Sequence, residues 1–513
     1  MGREQTLLYE IATRDWLAGF SRTLALGRPA TLDDVPDESL DELARLGFNW
    51  LWLMGVWQTG AIGREVSLSQ PEWMKGFRTV LPDFDPEEDV CGSPYAIQEY
   101  AVHRDFGGDE ALSRLRARLH ERGIRLMLDF VPNHTARDHT WVSQHPSYYI
   151  GGTEADLARE PGNFARVGKG AGGESESGGE ILALGRDPYF PGWPDTFQLN
   201  YRHPGLRQAM SEVLGKVARQ CDGLRCDMAM LILPEIFERT WGTLANPSDG
   251  ATPDESSFWL GAISRVREEV PGFLFLAEAY WDLEWTLQRQ GFDGTYDKRL
   301  YDRLRGQDAS AVRDHLRAGV EFQGRSVRFL ENHDEPRAVS AFVPWEVHRA
   351  AAIITFLAPG IRLFHQGQLE GWRIQPSVHL ARRMVEPADR LVTEFYARLL
   401  AILQRAEVRQ GRWSLMECRP AWSENRTSEQ FLAFSWQGNA GERLLIAVNY
   451  ANAQGQCYVN LPAEEFAGKS WIFRDLVGPH EYPRSGENLI PYGLYLDLPP
   501  WGVHVFEVVR RGF

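Results

Sequence analysis

Cysteine is scarce: five residues in 513, namely Cys91, Cys221, Cys226, Cys418 and Cys457. They are odd in number, scattered, and never spaced as CxxC, so neither a disulfide framework nor a cysteine zinc site is indicated. No apolar run approaches the roughly 20 residues of a membrane-spanning helix. The opening residues, Met1 to Thr6, carry no apolar core of a secretory signal. A soluble, cytoplasmic chain with no membrane partner is the expectation. Positive charge is also in deficit. The 55 Lys and Arg stand against 70 Asp and Glu, a formal net charge of -15, which would repel phosphates and argues against a nucleic-acid partner. Tryptophan is plentiful, with 18 residues. Most would fill core, but aromatic faces also pack against the C–H groups of sugar rings, which suits a carbohydrate groove.

At this length one ordinary core is too small, and a large barrel with smaller units attached is the natural prior. A helix from Pro36 places Leu40, Leu43 and Leu46 on one face and stops at Gly47. Phe48 to Met54 then reads as a buried strand. That rhythm recurs with the helix 109–122 and the strand Ile124 to Phe130, with Phe273 to Ala277, with Ser326 to Leu330, and with Gly360 to Phe364. The fold class expected is α/β, a (β/α)8 TIM barrel. Residues 134–199 break the rhythm with a glycine- and serine-rich run and crowded aromatics, which predicts an inserted subdomain after strand 3, with a mobile tip, forming one wall of a cleft. After about 410, short alternating runs separated by Gly, Asn and Pro predict a C-terminal all-β sandwich. The expected organisation is 1–133 and 200–408 for the barrel, 134–199 for the insert and 409–513 for the sandwich.

The run Gly223-Leu224-Arg225-Cys226-Asp227 is the centre of the functional reading. Alternation along a strand puts Arg225 and Asp227 on one face. Buried charges need partners, so the two should pair, which would keep Asp227 ionised. Three other polar clusters also sit at the C-terminal ends of predicted strands: Asp129 to His134, Glu278 after Ala277, and Asn332-His333-Asp334. In a barrel those ends converge on one face. Asp227, Glu278 and Asp334 would then share a pocket, and like charges packed together require one carboxyl to keep its proton. A charged nucleophile beside a protonated acid is what glycosidic cleavage needs.

These four stretches resemble the four conserved regions of the α-amylase family of glycoside hydrolases and transglycosylases. The DxVxNH pattern is met by Asp129, Val131, Asn133 and His134, and GxRxD by Gly223, Arg225 and Asp227. The strand ending in Glu is met at Glu278, and NHD at Asn332, His333 and Asp334, with Arg337 following. The resemblance implies a retaining mechanism on α-glucosidic bonds. Asp227 is then the nucleophile, Glu278 the acid/base, and Asp334 the group that binds hydroxyls and distorts the ring. Arg225 orients Asp227, while Tyr95, His134, His333 and Arg337 contact substrate. The implied partner is an α-linked glucoside or oligosaccharide. No cofactor is required; calcium, held through Asn133, is the one ion the resemblance brings. Met230 and Leu231 stand where many starch-degrading relatives carry Lys-His, which argues against ordinary endo-acting starch hydrolysis. Hydrolysis and glucosyl transfer share one intermediate and remain alternatives, with a non-catalytic sugar-binding relative as a third.

Overall fold

The computed structural model describes residues 5–168 and 179–511. Eight parallel strands close a barrel in chain order: β1 (Leu7–Ala12), β2 (Trp50–Met54), β3 (Arg125–Phe130), β4 (Gly223–Cys226), β5 (Leu274–Ala277), β6 (Gly294–Tyr296), β7 (Ser326–Arg328) and β8 (Ile361–His365). Strands covered by side chains inside and helices outside are buried on both faces, so they read as nearly continuous apolar runs. Trp-Leu-Trp-Leu-Met in β2 is buried at every position. The helix Asp37–Arg45 ends where the sequence predicts, with Gly47 at φ +91° turning the chain into β2. Register sets the active layer: in β4, Arg225 lies opposite Asp129 of β3 and Leu276 of β5.

The entry to β8 is tight. Gly360 has φ +127°, and a Cβ there would sit 2.3 Å from the Ser326 carbonyl oxygen at the start of β7. Gly360→Ala therefore meets both a backbone penalty and an overpacking penalty, together roughly 2–4 kcal/mol. A fall of that size in the free energy from urea denaturation, followed by circular dichroism, is expected; an unshifted midpoint would refute the close approach.

Between β2 and β3 the sequence reads as a segment broken by glycine and proline. It is instead folded. Trp57–Thr59 pairs with Ile97–Val102, and helices Ala61–Ser69, Pro71–Val80 and Pro86–Asp89 lie between. Pro71 and Pro86 start helices, at the first position, where a missing N–H costs nothing. The helices gather a satellite core of Phe77, Val90 and Leu380, with Trp73, Met74 and Phe84 packed against it. Leu380 comes from the connection after β8, which Arg382 also ties down through Asp89 (2.6 Å).

The insert after β3 holds two small antiparallel pairs, His134–Ala136 with Thr196–Gln198 and Phe164–Arg166 with Ile181–Ala183. Most of the glycine-rich run expected as its tip lies outside the described residues. The C-terminal part has a six-stranded antiparallel sheet and a three-stranded one. Strand Phe431–Gln437 shows how they are used. Phe431 and Ala433 join the core between the sheets, while Leu432, Phe434 and Trp436 join the barrel core. Trp436 Nε1 donates to the Leu357 carbonyl across that boundary, at 2.7 Å. Among the described residues no helix is long and apolar enough to cross a membrane.

Candidate active site

The C-terminal ends of the barrel strands deliver Asp227 just past β4, Glu278 just past β5 and Asp334 beyond β7. All three line one open pocket of about 350 Å³, together with Tyr95, His134 and His333. The structure thus brings together the three carboxylates that the sequence places at separate strand ends.

Arg225 is the hub. It is buried, with its guanidinium beneath the pocket. Nη1 donates to Asp227 Oδ1 at 2.6 Å, and Nη2 pairs with Glu278 Oε2 at 2.8 Å. Asp129 Oδ1 lies 3.7 Å from the same Nη1. One cation cannot neutralise three buried carboxylates. Burial pushes Asp129 up to about 6 against the pull of Arg225. Burial likewise pushes Glu278 up to about 7; Arg225 opposes this, and the charges of Asp227 and Asp334 add to it. Like charge, the reason expected from sequence for one carboxyl keeping its proton, is the smaller contribution. Desolvation is the larger cause, because the residue sits at the floor of the pocket and only 3% exposed.

Glu278 is also aimed. Oε2 accepts from the Met228 backbone N–H (2.7 Å) and Oε1 from Tyr280 Oη (2.9 Å). Met228 adopts φ +40°, a left-handed conformation uncommon outside glycine, and this turn presents its N–H to Glu278.

His333 is held from both sides. Nδ1 lies 2.5 Å from Glu10 Oε1, and Nε2 lies 2.8 Å from Tyr95 Oη and 3.2 Å from Asp334 Oδ2. Burial opposes its charge, but Asp334 and Glu10 outweigh burial and raise it to about 9, so the ring is an imidazolium at neutral pH. Among the described residues His134 makes no ion pair; burial outweighs the Asp227 charge and a backbone hydrogen bond at Tyr95, pushes it down to about 4 and leaves it neutral. Two histidines of one pocket thus present different hydrogen-bonding faces. Asp334 is the exposed member of the triad, its side chain 47% accessible at the mouth.

Two expected contacts fall elsewhere. Arg337 does not reach the pocket: its guanidinium donates to Glu331 Oε1 (2.7 Å) and to the Gln366 and Ile374 carbonyls, behind the Asn332–Asp334 loop. Asn133 does not fit a calcium site. Its amide Nδ2 donates to Gln198 Oε1 (3.1 Å) and its Oδ1 accepts from Gln198 Nε2 (3.0 Å), a closed neutral pair with no anionic partner. Among the described residues no cluster of three His, Cys, Asp or Glu could hold a metal ion. Arg225 touches carboxylates rather than the open pocket. Met230 and Leu231 are buried in the barrel core.

Sequence reading missed Glu10, Tyr280, Trp73, Asp195 and His379. Glu10 had a signal, being a lone carboxylate inside the apolar strand β1. Trp73, Asp195 and His379 line the pocket from three separate connections, and no local pattern marks them.

A closed parallel barrel with a carboxylate triad, a shared arginine and two histidines around a sugar-sized pocket defines the class of protein. The family model "Alpha amylase, catalytic domain" matches residues 37–377, and the chain belongs to the α-amylase family. The alpha-amylase MalA of Haloarcula japonica is 25% identical over 379 residues, covering 72% of this chain and 45% of that protein. An alpha-glucosidase of Apis mellifera is 27% identical over 308 residues, covering 53% of this chain and 52% of its own. The chain spans about half the length of these curated relatives. Among solved structures, the maltogenic alpha-amylase AmyB of Thermotoga neapolitana matches with a TM-score of 0.67 at 18% identity, covering 99% of both chains, a likeness of fold.

Proposed function

We propose that the protein is a retaining glycoside hydrolase acting on α-glucosidic bonds of small oligosaccharides, through a covalent glycosyl-enzyme intermediate. One observation carries this: a single guanidinium grips both Asp227 and Glu278. Carboxylates fixed to the two terminal nitrogens of one arginine fit the close spacing of retaining enzymes, about 5–5.5 Å, rather than the wider gap that admits water in inverting ones.

Asp227 attacks the anomeric carbon from below and forms a β-glycosyl ester. Glu278, carrying its proton, delivers it to the departing oxygen, so the bond breaks without expelling an alkoxide. Glu278, now a carboxylate, takes the proton from incoming water, and the ester opens with the original configuration. Tyr95 and the imidazolium of His333 line the wall beside the ring, and Asp334 accepts from its hydroxyls. A sugar acceptor in place of water gives the transferase reading; the relatives' names, amylase and glucosidase, favour water. The closed Asn133–Gln198 pair supports action without calcium at that position.

Proton NMR during hydrolysis of an aryl α-glucoside tests the reading. The α-anomer of glucose is expected first, with the β-anomer appearing only by mutarotation. The β-anomer as first product would overturn it.

A further inference from the structure

Which end of a saccharide the pocket accepts depends on the wall facing Glu278. In an eight-stranded barrel the position across from β5 is β1, flanked by β8 and β2. The connections after β8 and β2 supply His379 and Trp73, and both line the active-site pocket. The two rings pack at 4.7 Å between centroids. Their backbone is secured where Cys91 N–H donates to the His379 carbonyl (2.9 Å) and Val90 bridges to Leu380.

The tautomer of His379 follows from its neighbour. Ser67, fully buried in the helix Ala61–Ser69, donates its hydroxyl hydrogen to the Gly63 carbonyl at 2.8 Å. Its Oγ also lies 2.9 Å from His379 Nδ1. A hydroxyl has one hydrogen; given to the Gly63 carbonyl, it leaves Nδ1 to donate in the second contact. Burial pushes the ring down to about 4, so at neutral pH Nε2 carries no hydrogen. Among the described residues Nε2 has no hydrogen-bond partner. That tautomer leaves Nε2, on a ring that lines the same pocket as Glu278, as an acceptor without a hydrogen.

We propose that His379 Nε2 accepts a hydrogen bond from the sugar hydroxyl farthest from the bond being cut, the 4-hydroxyl of a terminal glucosyl unit, and that Trp73 closes the pocket beyond it. The site then takes chain ends and refuses chain interiors. An interior unit of a 1,4-linked chain has its O4 glycosylated. It offers the bare nitrogen no hydrogen and would drive the next sugar into Trp73. This specificity role rests on the retaining glycoside hydrolase reading above.

The test compares kcat/KM for 4-nitrophenyl α-glucoside and its 4-deoxy analogue in wild type, His379→Ala and His379→Gln. In wild type the missing hydroxyl is expected to cost between about tenfold and a hundredfold, the cost of a polar group left unpaired on the pocket wall. In His379→Ala the parent substrate should slow by a similar factor, and the deoxy penalty should nearly vanish. His379→Gln, which restores an acceptor oxygen, should recover part of the discrimination and shows that the position tolerates change. An equal deoxy penalty in active wild type and active His379→Ala overturns the assignment alone. A wild type that cleaves maltotriose but neither glucoside overturns the chain-end assignment alone, and one that cleaves none of the three overturns the underlying reading with it.

Discussion

Asp227→Asn lowers kcat/KM on any α-glucoside by about 10⁴-fold or more, the scale of losing a covalent nucleophile. The amide keeps the shape of the carboxylate and can still accept from Arg225, so the pocket survives while the attacking charge is gone. The substitution has a second consequence. The Asp227 charge is one of the influences that raises Glu278. Removing it lowers Glu278, so the residual activity should lose its proton donor at a lower pH than wild type. Steady-state rates across pH on a rigorously purified variant measure both effects. Adding azide to Asp227→Gly gives a sharper readout. A small anion can enter from the face the carboxylate vacated, so β-glucosyl azide should form. A residual rate above about 1% of wild type would be too fast for a missing nucleophile, and, in the absence of azide adduct, would remove Asp227 from that role.

Glu278→Gln separates substrates by leaving group. Protonation by a positioned acid contributes about 10²–10⁴-fold, so maltose cleavage should fall by that factor. A 2,4-dinitrophenyl glucoside needs no proton to depart, so its first step should stay within about tenfold of wild type, with the glycosyl-enzyme accumulating as a burst. The pH profile supplies the sign. Glu278 must be protonated to act, and its pKa is near 7. Wild-type activity should therefore fall as pH rises through about 7, and that limb should be absent in Glu278→Gln. His333, raised to about 9, keeps its charge across the same window and does not mimic the effect. Equal losses on both substrates would assign the acid elsewhere.

Much of the architecture was legible because it is written locally. Buried parallel strands such as β2 and β3 read as apolar runs, and β3, β4, β5 and β7 lead into polar clusters that only a strand terminus explains. The helices between β2 and β3 were not legible. They are nine or ten residues long at most, and their prolines start helices that a linear reading takes as breaks. The Arg225–Asp227 pair followed from period-two alternation. The pairing of Asn133 with Gln198 did not, because nothing in a separation of 65 positions signals that their amides meet. The resemblance put Arg337 among the substrate contacts; the buried carboxylate of Glu331 draws it the other way.

The amino-acid order by itself determined which residues could do chemistry: three carboxylates, their arginine and two histidines, each at a strand end where a barrel would expose it. Only the folded chain decided how those groups differ. Glu278 keeps a proton while His333 stays charged and His134 and His379 stay neutral. Protonation depends on how much water is excluded and which charges lie within a few ångströms, and both are properties of segments brought together in space rather than of neighbours along the chain.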